Sequence, residues 1–107
     1  MIYEMRTYET MPGQLQKLND RFEHVTLDYF EKYNIRAIGF WTEDVGANNR
    51  LVYLLAFDSL AQRDEAWARF RADEERIKAF AESEKDGPLV AKIYNTILKP
   101  TSYSQLR

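Results

Sequence analysis

The chain has 107 residues, which fits one domain over 1–107 and leaves no room for a second. Hydrophobic residues make up 45% and aromatics 14%, which excludes a disordered chain. Seventeen acids against fifteen Lys and Arg leave a net charge of −2, so there is no electrostatic signature for nucleic acid or an anionic membrane.

Ile2 to Glu9 is short, alternating, β-branched and aromatic, and predicts the first strand. Met1 runs straight into it, with no basic segment and apolar core of a secretory signal. Leu15, Leu18, Phe22, Val25, Tyr29 and Tyr33 then recur at steps of three and four. That periodicity predicts an amphipathic helix of about six turns from near Pro12 to Tyr33. Asn34 stands at its end, and Asn tolerates the left-handed conformation that stops many helices.

Arg36 to Glu43 and Leu51 to Phe57 predict two further strands. The polar and Gly-containing stretch 44–49 between them predicts a hairpin with a longer loop. Leu51–Phe57 is also the longest apolar run, seven residues, far short of the roughly 20 that span a bilayer. Ser59-Leu60-Ala61-Gln62 has the spacing of a capping box and predicts a helix to about Ala72. Asp73 is a second cap, with helix from Glu74 to about Glu84. After Gly87-Pro88, Leu89 to Lys99 predicts the last strand, and Thr101 to Arg107 a short tail.

The order βαββαβ predicts an α+β, ferredoxin-like fold: a four-stranded antiparallel-type sheet with both helices on one face. Strands one and three are expected at the centre, parallel to each other, with two and four at the edges. The other face of the sheet starts uncovered. Strand parity assigns the larger, mixed side chains to that bare face: Arg6, Tyr8, Tyr53, Phe57 and Tyr94. A soluble monomer rarely exposes so large an apolar surface. The expected solution is a homodimer joined through the open sheet faces, with polar groups between them lining a chamber.

Four segments in order resemble the NIPSNAP family: Tyr3-Glu4-Met5-Arg6-Thr7-Tyr8 with Pro12-Gly13; Ile38-Gly39-Phe40-Trp41-Thr42-Glu43; Phe57-Asp58-Ser59-Leu60-Ala61-Gln62-Arg63; and Ile97-Leu98-Lys99-Pro100-Thr101. The resemblance spans roughly Ile2 to Leu106. It implies a dimeric α/β barrel and carries no settled activity with it.

The candidate ligand-binding residues are Arg6, Tyr8, Trp41, Tyr53 and Tyr94. A tyrosine gives a planar ligand an apolar wall and one hydroxyl. Arg6 offers a planar fork for a carboxylate or phenolate, or pairs with Glu4 in a salt bridge across the dimer. His24 is the sole imidazole and the one candidate for proton transfer beside the tyrosines. With no cysteine and a single histidine, thiolate chemistry and two-histidine metal sites are excluded, and neither metal nor cofactor is expected. The first functional expectation is a cytoplasmic homodimer that binds a small, largely apolar molecule in the barrel. The rivals are a cofactor-independent monooxygenase or isomerase acting on an aromatic or lactone substrate, and an interaction module with a filled barrel.

Overall fold

Alternation and periodicity place the elements well. A computed structural model describes residues 1–107. Its order is β1 (Ile2–Thr10), α1 (Leu15–Arg21), a π-helical turn (Phe22–Thr26), α2 (Leu27–Lys32), β2 (Arg36–Thr42), β3 (Arg50–Phe57), α3 (Leu60–Ala72), α4 (Glu74–Ser83) and β4 (Val90–Leu98). The fold is ferredoxin-like α+β. No helix is long and apolar enough to cross a membrane.

Local signals set the helix ends. The first helical stretch begins after Pro12 because Gly13 sits at φ +76°, outside any right-handed helix. It stops where Asn34 takes φ 58°, the left-handed stop that its residue type favours. Ser59 Oγ accepts from the Gln62 amide at 3.1 Å, and Gln62 Oε1 accepts from the Asp58 amide at 3.1 Å. This is a capping box displaced by one residue on its return bond. Asp73 Oδ1 accepts from the Arg76 amide at 2.9 Å and caps α4. Its other oxygen accepts from Lys32 Nζ at 2.9 Å and from the Tyr33 hydroxyl, which ties α4 to the end of α2.

The π-helical turn changes which side chains face inward. Leu18, Phe22, Thr26 and Phe30 are all buried, at steps of four. In a plain α-helix each such step overshoots the turn by about 40°. The wider turn absorbs that drift and keeps Phe22, Thr26 and Phe30 on one line. Val25, Tyr29 and Tyr33, expected inward, are only half-buried.

The strand order is β2-β3-β1-β4, with β1 and β3 central as expected. The expectation that these two run parallel is corrected: β1 pairs antiparallel with both β3 and β4. Each helical crossover skips one strand. The parallel partners are thus β1 with β2 and β3 with β4, and interleaving them makes every neighbouring pair antiparallel.

The two faces of the sheet are also exchanged relative to the parity argument. Arg6 stands opposite Tyr53, Tyr8 opposite Leu51, and Ile2 opposite Phe57. Tyr8, Tyr53 and Phe57 pack into one core cluster with Leu18, Phe22, Phe30, Trp67 and Phe70 from the helices. The helices present large rings, so the aromatic side of the sheet is the one they cover. The open face carries the alternate residues, among them Met5, Val52 and Leu54, with Gly39 and Trp41 from β2. Tyr94, opposite Thr7, also lies there, as expected. At the far edge β4 is exposed on both sides from Ala91 to Leu98, with Ile93 47% and Tyr94 44% accessible.

Candidate functional site

The site grows from one carboxylate. Glu4 lies mid-strand on the helix side of β1 and is fully buried. Burial alone would raise its carboxyl, but hydrogen bonds from Arg63, Trp67 and Arg6 outweigh that and hold it at about 2. Arg63 on α3 reaches both oxygens at 2.9 Å, one from Nε and one from Nη2. Trp67 Nε1 donates to Oε1 at 2.8 Å, and Arg6 Nη1 to Oε2 at 3.0 Å. The predicted Glu4–Arg6 pair therefore forms within one chain rather than across a dimer.

The network continues along the strand. Arg6 Nη2 donates to the Tyr8 hydroxyl at 3.2 Å, which also accepts from the Tyr53 hydroxyl at 2.9 Å. Burial pushes the Tyr53 hydroxyl well above its ordinary value, so it stays a donor. Burial would lower Arg6, but the neighbouring tyrosines and Glu4 outweigh it and raise it further, keeping the guanidinium charged. That guanidinium lies 4.6 Å from the Trp67 ring, in cation–π geometry.

Beside this network a cavity of about 140 Å³ opens between the sheet and the helices. Its walls are the rings of Tyr8, Phe22, Phe30, Trp67, Phe70 and Phe80. Its polar groups are Arg6, Arg21, Arg71 and Thr26. The π-helical turn supplies Phe22 and Thr26, and the residue before that turn supplies Arg21. Such turns often mark functional sites because they re-aim side chains within a helix. Arg21 is buried, donates to Ser83 Oγ at 3.2 Å and Glu84 Oε1 at 2.9 Å, and lies 4.4 Å from the Phe80 ring.

A family model described as NIPSNAP matches residues 3–105 of the chain. The chain belongs to the NIPSNAP family. It is 30% identical to a NIPSNAP family protein with unknown function, Atu4242 of Agrobacterium tumefaciens, with a TM-score of 0.86. That match covers 100% of this chain and 94% of the other. A NIPSNAP-like domain protein of Burkholderia xenovorans is 27% identical, covers 96% and 87% of the two chains, and gives a TM-score of 0.85. A mutant of MhuD, crystallised with two manganese protoporphyrin IX molecules per active site, shares the fold at 17% identity and a TM-score of 0.59, over 94% of each chain. No curated protein matches.

Within this NIPSNAP domain the five ligand-binding candidates divide. Arg6 and Tyr8 line the cavity, and Tyr53 stands directly behind Tyr8. Trp41 and Tyr94 are on the opposite face of the sheet, 54% and 44% accessible. Trp41 folds back over Gly39, where a side chain would meet the indole ring. His24 points outward beside Glu23, its side chain 69% accessible, and does not line the cavity. Arg21 and Thr26 line the cavity without being among the sequence candidates. Their signal was the four-residue spacing of Phe22, Thr26 and Phe30, which competes with the step-three-and-four stripe.

Proposed function

We propose that this NIPSNAP protein is a homodimer that binds a small, largely apolar molecule in the cavity between its own sheet and helices. The cavity carries the reading. An apolar cavity of roughly 150 Å³ is enough to take up benzene. This one is of similar size, is walled by six rings and holds a few fixed polar groups, the usual make-up of a small-molecule site. A guest that size is far smaller than a porphyrin.

The dimer is supported by what the monomer leaves bare. The molecule is a slab, 45 × 37 × 19 Å, with a radius of gyration of 14.4 Å against about 13 Å for a rounded domain of this length. Ile93 and Ile97 on one side of β4, and Tyr94 and Leu98 on the other, are all exposed in the single subunit. An edge strand that is apolar on both faces calls for a partner. In this reading Trp41 and Tyr94 serve the contact between subunits, while Arg6 and Tyr8 serve the ligand.

Xenon pressurisation of crystals tests the cavity. The expected result is a xenon peak between Phe22, Trp67 and Phe80. A peak only at the open face around Trp41 and Tyr94, or no peak, would overturn the assignment.

A further inference from the structure

The cavity's polar groups have more donor capacity than the protein uses. Arg6 Nε, Arg21 Nε and Thr26 Oγ1 are all buried and have no hydrogen-bond partner. The Arg21 side chain is only 6% accessible and Thr26 only 3%. Buried donors without partners are rare, because each carries its full desolvation penalty. All three belong to residues that line one small chamber.

Charge leans the same way. Three guanidinium groups line the cavity and no carboxylate does. Glu4, the acid nearest to Arg6, is shared with Arg63. Glu84, the partner of Arg21, is on the outer side with 39% of its side chain accessible. Arg71 forms no ion pair with any acid. An aromatic chamber with surplus positive charge and unused N–H and O–H donors fits one ligand chemistry best. Resting on the ligand-binding reading above, we infer that the occupant is a small aromatic monocarboxylate, its ring among the phenylalanines and its carboxylate held by Arg21, Thr26 and Arg6. A carboxylate accepts several hydrogen bonds at once and matches the arginine fork. A doubly charged phosphate fits less well, since the chamber is mostly ring surface.

The experiment is calorimetric titration of the full-length protein with benzoate and phenylacetate, each beside its neutral amide, benzamide and phenylacetamide. The acids are expected to bind about tenfold or more tightly than the amides, as charge-assisted bonds outrank neutral ones. The variant Thr26→Val keeps the shape of the side chain and removes a donor. It is expected to weaken the acids more than the amides and so to narrow the preference several-fold, because a hydrogen bond to a charged acceptor is the stronger one. Arg21→Gln is expected to abolish the preference, and circular dichroism reports whether that variant folds. Equal binding of acid and amide to the unaltered protein would overturn the carboxylate inference and leave the cavity reading standing. Failure of all four probes to bind would overturn both.

Discussion

Glu4→Ala is expected to cost the protein 3–5 kcal/mol or more, on the order of what breaking a buried ion pair from one side costs. Four donor atoms converge on this carboxylate, two from Arg63, one from Trp67 and one from Arg6. Removing it leaves two guanidinium groups and an indole N–H facing a gap in a low-dielectric layer. Total stability in a domain this size is about 5–15 kcal/mol, so the variant should sit close to unfolding. Glu4→Gln is expected to fare little better, because its amide N–H₂ would face Arg63 or Trp67. The pH dependence has a defined sign. Glu4 ionises at about 2 in the folded chain, below its ordinary 4.5. Its contribution is therefore complete above pH 4.5 and lost as the pH falls towards 2. The size is on the order of 3 kcal/mol, and the Gln variant should lack that part of the acid limb. Urea unfolding of the three proteins between pH 2 and 7 checks this. A loss under about 1 kcal/mol for Glu4→Ala at pH 7 would contradict it.

The second large effect concerns subunit contact. The double variant Ile93→Asp/Ile97→Asp is expected to give monomers at micromolar concentration. Both isoleucines are more than two-fifths exposed in a single subunit. Covering the part of each side chain that is still exposed contributes roughly 1 kcal/mol, and a buried carboxylate in its place opposes association more strongly than that. The monomer should keep its fold, because neither residue belongs to the core cluster. Sedimentation velocity reads the outcome directly. An unaltered protein sedimenting as a 12.7 kDa particle would remove the dimer. A double variant that stays dimeric would move the interface away from this side of β4 and onto the open face that carries Tyr94 and Leu98.

Much of the fold was legible because local signals agree with the global arrangement. The capping residues Ser59 and Asp73, the stop at Asn34, the alternating strand β1 and the apolar strand β3 all lie where the sequence predicts them. The choice of sheet face was not legible. Parity correctly separates Glu4, Arg6 and Tyr8 from Tyr3, Met5 and Thr7, yet says nothing about which set meets the helices. A charged Glu4–Arg6 pair reads as surface or interface until Arg63 and Trp67, about 60 residues away, are known to meet it. The π-helical turn was equally hidden. A wider turn has no residue signature of its own, and within it Thr26 rather than Val25 lines the cavity. Nothing in the sequence marks Arg21 as buried, because its partners Ser83 and Glu84 come from the far end of α4.

The most direct test of a chamber beneath the helices is chemical-shift mapping of the isotope-labelled protein during titration with toluene. Saturable shifts centred on Phe22, Thr26, Trp67 and Phe80 are expected. Shifts centred on Trp41 and Tyr94 at the open face, or none that saturate, would contradict it.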